Sequence, residues 1–130
     1  CEEGRCIVAA SKRANASSLA KLDKAGARIL NIADAGGKAS MADLMRQLAD
    51  MGHLCVLIEG GGEVAAAALA EKVVDKAIFF YAPKIIGGQG AVSSIGGLGA
   101  ETVAGSIGLE RTRVRRFGTD VAIEGYLVYP

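Results

Sequence analysis

An α/β fold with a largely parallel sheet and a closing antiparallel hairpin is the architecture this sequence predicts. Three observations lead there. Residues 54–58 (LCVLI) are apolar without alternation, the pattern of a strand buried on both faces beneath helices. Candidate strands and helices alternate as β-α-β-α-β-α-β as far as Tyr81, an order that favours parallel pairing through helical crossovers. Two β-prone runs, 109–117 and 121–129, then flank Gly118-Thr119-Asp120, a connection short enough for a hairpin.

Each element has a local reason. Residues 6–10 (CIVAA) form a short β-prone run that ends in Ser11-Lys12-Arg13. Serines 17 and 18 suit a helix N-cap, and Leu19 and Leu22 stand at helical spacing, which predicts a helix over 17–25 stopped by Gly26. Residues 27–32 (ARILNI) read as a strand and 34–38 as a turn. Ser40 is placed to cap a stronger helix over 41–51. There Met41, Leu44, Met45, Leu48 and Met51 make one apolar stripe, with Gly52 as the stop. That spacing assigns the three methionines to core packing. Alanine content predicts a helix over 63–72 with Gly62 as N-cap, and 73–81 reads as a strand halted by Pro83. Between Gly87 and Gly108 lie eight of the 18 glycines with no period of either kind, which predicts a long irregular connection. Within it Gly96-Gly97-Leu98-Gly99 does not complete a dinucleotide fingerprint.

Composition excludes several classes of function. The chain is 51% hydrophobic and 22% charged with a formal net charge of +1, which leaves no electrostatic case for nucleic acid or an anionic membrane as partner. No apolar run approaches the roughly 18 residues of a membrane span. Three cysteines, an odd number without a CxxC or a Cys/His cluster, argue against a disulfide framework and against a metal site. They point to a reducing compartment, and a cytoplasmic location is expected. Cys55, inside its apolar run, reads as a small core hydrophobe. His53 is the single histidine and reads as structural, since no carboxylate or nucleophile is placed to pair with it. A chain that opens on Cys1 is expected to be a fragment or a processed product.

The chemistry concentrates at Glu59-Gly60-Gly61-Gly62. In open α/β sheets ligands bind outside the carboxyl ends of strands, and Glu59 stands at that end of the predicted buried strand. Glycines there let backbone approach a ligand, and the helix that follows offers unpaired, positively polarised N–H groups. Two readings stand side by side: a phosphate cradle, or a tight strand-to-helix turn. The P-loop lysine is absent. A carboxylate at the rim of a buried strand costs free energy unless solvated or paired, so a donor-bearing ligand would satisfy Glu59. Arg111, Arg113 and Arg115 alternate along a strand and read as a solvated outer face, with an anion site as the other option. Ser11-Lys12-Arg13 reads as a solvated loop, or as a contact for a cofactor 2′-phosphate.

Ile58-Glu59-Gly60-Gly61-Gly62, Leu69 with Val74-Asp75, Phe80-Tyr81-Ala82-Pro83-Lys84-Ile85-Ile86-Gly87-Gly88, and Phe117-Gly118-Thr119-Asp120 with Gly125 together resemble the pyrimidine reductase of riboflavin biosynthesis. That reductase is the C-terminal domain of a bifunctional deaminase/reductase, and the likeness runs from about Cys6 to the end. It implies a dihydrofolate-reductase-like three-layer sandwich, incomplete at its N-terminus, with residues 1–130 as the C-terminal portion of a single reductase domain. It also implies NADPH as cofactor and a small-molecule ribosylaminopyrimidine phosphate reduced to its ribitylamino form. By the same likeness Glu59 contacts substrate. Gly61, Gly62, Glu63, Val64, Ala65, Ala66 and Ala67 line the NADPH pyrophosphate. No catalytic acid is identifiable, and the family's early serine and arginine contacts have no counterpart here. A buried strand with few predecessors implies self-association, so a homo-oligomer is expected. A non-catalytic nucleotide-binding module and an assembly fragment are the alternatives.

Overall fold

The computed structural model describes residues 6–130, and Cys1 lies outside them. The chain divides into two compact units, Cys1–Leu57 and Ile58–Pro130.

In the first unit, strands β1 (Ile7–Ser11) and β2 (Arg28–Ile32) pair in parallel, Ile7 opposite Arg28 and Ser11 opposite Ile32. The crossover between them is helix α1 (Ala16–Lys24), as the alternating pattern predicts. Its cap is Asn15, whose side chain accepts from the N–H groups of Ser17 and Ser18, so the serines expected as caps lie inside the first turn. The predicted turn at 34–38 is a two-residue hairpin, β3 (Asp34–Ala35) with β4 (Lys38–Ala39), turned by Gly36 and Gly37 at positive φ. Helix α2 (Met41–Asp50) follows, with the Ser40 hydroxyl accepting from the Asp43 N–H at 3.2 Å. Met41 is buried, and Leu44, Met45, Leu48 and Met51 are half-buried, as their stripe predicts. Gly26 and Gly52 stop their helices at φ +87° and +89°, conformations that cost a side-chain-bearing residue free energy. Ala10, Ala27, Leu30, Ile32 and Met41 form the core of this unit.

The expected buried strand at 54–58 is a correction. The stretch is irregular and joins no ladder among the described residues, and Leu54, Cys55 and Leu57 are exposed. Apolar content marks a segment that can be buried, but a strand exists only where a neighbour supplies the second half of its hydrogen bonds. Cys55 is therefore no core residue.

The second unit opens with helix α3 (Gly62–Ala70), whose N-cap is Gly61, one residue earlier than predicted. Strand β5 (Lys76–Tyr81) begins three residues later than expected, because Lys72 at φ +54° turns the chain before it. Residues 82–107 contain neither helix nor strand, as the glycine-rich composition predicts. Strands β6 (Gly108–Phe117) and β7 (Asp120–Val128) form the hairpin, with Gly118 at positive φ in its turn. Strand order is β5-β7-β6 and both ladders are antiparallel, Lys76 opposite Tyr126 and Phe117 opposite Asp120. Hence the largely parallel sheet is also corrected. Among the described residues only β1 and β2 pair in parallel, and the C-terminal hairpin recruits β5 into an antiparallel sheet. A bulge between Glu110 and Arg113 interrupts the expected alternation of arginines, with Arg111 at φ +49°. Among the described residues no helix is long and apolar enough to cross a membrane.

Candidate functional site

The glycine run ending at Gly62 builds the start of α3, and the three glycines have different reasons to be glycine. A Cβ on Gly60 would stand 2.8 Å from the Cβ of Val64, one helical turn on, so this position is closed by its own helix. A Cβ on Gly62 would stand 2.9 Å from the backbone nitrogen of Gly96 and 3.1 Å from the carbonyl oxygen of Ser93. Backbone cannot swing aside as a side chain can, so Gly62 is required by packing. Gly61 differs from both. Its φ of −63° and ψ of 174° suit any residue, and a Cβ there would meet nothing within 4 Å. Neither conformation nor packing asks for glycine at 61, and the space beside it is open.

The long connection takes part in this site. The Gly96 N–H donates to the Gly62 carbonyl at 2.9 Å, and the Gly97 N–H donates to Oε1 of Glu63 at 3.3 Å. A Cβ on Gly97 would stand 2.9 Å from the Cβ of Ala66. Gly96 and Gly97 thus let the connection lie flat on the first turn of α3. Reading the sequence for a dinucleotide fingerprint misses this, because the two glycines pack against a helix 30 residues earlier. Ser93, whose hydroxyl donates to the Ile95 carbonyl at 2.7 Å, shapes the bend that brings them in.

The remaining expected contacts follow from their places on the helix. Val64 and Ala65 donate their N–H groups to the Gly61 carbonyl and so begin the intrahelical ladder. The Gly62 amide stands ahead of that ladder. Val64 is exposed; Ala65, Ala66 and Ala67 are half-buried, and their amides stand behind the first turn. Glu63 lies in the first turn, where its charge complements the helix dipole. Unlike α1 and α2, α3 has no side-chain cap.

Glu59 stands two residues before the N-cap on irregular, exposed backbone. The sequence argument that a buried rim would penalise its charge does not hold, since water reaches the carboxylate directly. In the chain it precedes Gly61 by two residues. Elsewhere, Arg13 pairs with Asp34 at 3.1 Å and its N–H donates to the Ser11 hydroxyl, so Ser11-Lys12-Arg13 is a braced surface loop. His53 is exposed, and its backbone N–H donates to Leu48 at the end of α2.

Comparison with known proteins finds relatives over part of the sequence. The chain is 38% identical over 76 residues to the chloroplastic riboflavin biosynthesis protein PYRR of Arabidopsis thaliana, covering 58% of this chain and 13% of that protein. It is 32% identical over 78 residues to the protein of the same name from Zea mays, covering 60% of this chain and 12% of that one. To the riboflavin biosynthesis protein RibD of Chlamydia muridarum it is 26% identical over 90 residues, covering 69% of this chain and 24% of the relative. The matched stretches thus span no more than a quarter of these curated relatives. The family model of the RibD C-terminal domain matches residues 1–123, and the chain belongs to that family.

Proposed function

We propose that this chain is the cofactor-binding part of an NADPH-dependent pyrimidine reductase in riboflavin biosynthesis. On this reading it acts on 5-amino-6-(5-phosphoribosylamino)uracil or a related ribosylaminopyrimidine phosphate. The observation that carries the proposal is Gly61, a glycine that neither backbone geometry nor packing requires, at an uncapped helix start in a chain of this family.

The residues present fit a dinucleotide pyrophosphate. With no side chain at 61, the phosphates can approach the amide of Gly62, and the dipole of α3 favours their charge. The packed connection at Ser93–Gly97 holds that turn in one position, so little ordering remains when the ligand arrives. Glu59 offers a solvated acceptor beside the same opening, suited to the N–H or hydroxyl groups of the substrate. When bound, the nicotinamide supplies the hydride that turns the ribose carbonyl form into ribitol. This chain's part is to bind, orient and limit the access of water.

The test uses the enzyme that carries this domain. NADPH oxidation with the ribosylaminopyrimidine phosphate should fall about ten- to a hundredfold in Glu59→Gln, the usual effect of losing a charged hydrogen bond. NADPH affinity should hold in the same variant. Unchanged turnover would make Glu59 a bystander, and absence of NADPH binding to the parent enzyme would refute the reading as a whole.

A further inference from the structure

The arginine-bearing strand has a cavity that the cofactor reading does not use. The bulge in β6 turns Arg111 to the face that also bears Arg113, and these two line a cavity of about 220 Å³ with Lys76, Glu124 and Tyr126. Glu124 is the one charged residue among those buried in the described chain. Its two oxygens are both engaged, Oε2 by Lys76 and Oε1 by Arg115, each at 3.0 Å. Lys76 also stands 5.9 Å from the Tyr126 ring centroid, and the Arg111 guanidinium 5.5 Å from it on the same ring. Arg111 meets Glu110 loosely at 3.7 Å. Arg113 has no ion pair among the described residues.

Charge and geometry here point one way. Four cations (Lys76, Arg111, Arg113 and Arg115) gather around two carboxylates, Glu110 and Glu124, an excess of two positive charges. Such an excess repels itself unless solvated or paired. The backbone at Arg111 occupies the left-handed region, which is costly for a residue with a long side chain and is found where a bulge re-aims a side chain. The cavity is smaller than the roughly 300–1,000 Å³ of sites that enclose a whole drug-sized ligand, so it suits one small anionic group. Guanidinium forks match a phosphate with two parallel hydrogen bonds, and the Lys76 ammonium adds a point charge.

We propose that Arg111, Arg113 and Lys76 on the β5–β7–β6 sheet form a second anion site, for the phosphate group of a soluble phosphate monoester. Glu124 holds Lys76 and Arg115 in place and is itself neutralised by them. The site is separate from the start of α3 and stands whether or not that helix binds a cofactor.

The experiment is a calorimetric titration of this chain with inorganic phosphate, against chloride at matched ionic strength. Phosphate should bind to the unaltered chain, and Arg113→Gln should weaken it about tenfold or more. Arg116→Gln removes the same charge from the opposite face of the strand and should leave binding unchanged. Circular dichroism of both variants should match the parent, since neither side chain has an ion pair among the described residues. Equal loss in the two variants would reduce the effect to net charge and overturn the proposal. Binding that survives Arg113→Gln would overturn it too, by placing the phosphate elsewhere. Attachment to phosphatidic acid vesicles without binding of free phosphate would reassign the cluster to a lipid surface. Salt-sensitive self-association without phosphate binding would reassign it to a protein contact.

Discussion

The starts of α2 and α3 solve one problem in opposite ways. Every helix leaves its first N–H groups without intrahelical partners. At α2 the chain answers with its own side chains. The Ser40 hydroxyl accepts from Asp43, the Asp43 carboxylate accepts from the Ala33 N–H at 2.8 Å and from Gln47 at 3.0 Å, and Arg46 pairs with it. Gln47 also donates to the Asn31 carbonyl, which ties the helix to the end of β2. At α3 there is no capping side chain, one flank is covered by a distant glycine loop, and the flank at Gly61 is open. A helix start closed by its own side chains is a structural joint. One left bare beside glycine has room for an external anion.

The strongest way to break this contrast is to fill the open flank. Gly61→Val should weaken NADPH binding about a hundredfold or more, roughly 2.7 kcal/mol, while the melting temperature of the free protein changes little. Equilibrium titration of a folded variant checks it, and an unaltered dissociation constant would leave Gly61 an ordinary turn residue.

Next in size is the covered flank. Gly62→Ala puts a Cβ against the backbone of Gly96 and Ser93, so the loop must shift. Overpacking of this kind costs about 1–3 kcal/mol, less the advantage of alanine over glycine in a helix, near 1 kcal/mol. Chemical denaturation should therefore show a net loss of up to about 2 kcal/mol. A gain in stability over the parent would mean that the loop does not rest on α3.

The side-chain-closed start should respond in stability alone. Ser40→Ala should cost about 1 kcal/mol, the usual worth of a cap, with no effect on ligand binding. A change in NADPH affinity in that variant would erase the distinction between the two helix starts.

The smallest effect is one of pH. The Ala33 N–H, and after it the Arg46 guanidinium, hold the Asp43 carboxyl below the ordinary aspartate range. A depressed folded-state pKa gives stability that is complete above the unfolded-state value, near pH 4, and is lost as pH falls through the folded-state value. Asp43→Asn should accordingly differ most from the parent at neutral pH, and the two should converge towards about pH 2. Denaturation midpoints across that range decide it; a constant gap would show that the charge is not involved.

What the sequence made legible was local. Gly26 and Gly52 as stops, Ser40 as cap, the methionine stripe of α2 and the hairpin around Gly118 each depend on a few neighbouring residues, and all are present. Boundaries slipped where two neighbours competed for one role, as with Asn15 against Ser17, or Gly61 against Gly62. The misses were non-local. Nothing near Gly96 in sequence says that it packs on Gly62, and nothing in the apolar run at 54–58 says which ladder, if any, would take it. The bulge that re-aims Arg111 is decided by the register of β6 on β7, a property of two strands together. The candidate site was legible as a position, Glu59 to Gly62, but the separate duties of its glycines appear only in three dimensions.

Among the described residues the strand order β5-β7-β6 leaves two outer edges, and they are unequal. Along β6 four arginines and a bulge disrupt the straight row of amides and carbonyls that a foreign strand would need, the defence by which exposed edges resist aggregation. Along β5 only Lys76 is charged, and Phe79, Phe80 and Tyr81 follow in a strand without a bulge. Growth of this sheet by an added strand is therefore directed to β5, and the arginines that crowd one face of β6 also keep its edge from recruiting a neighbour.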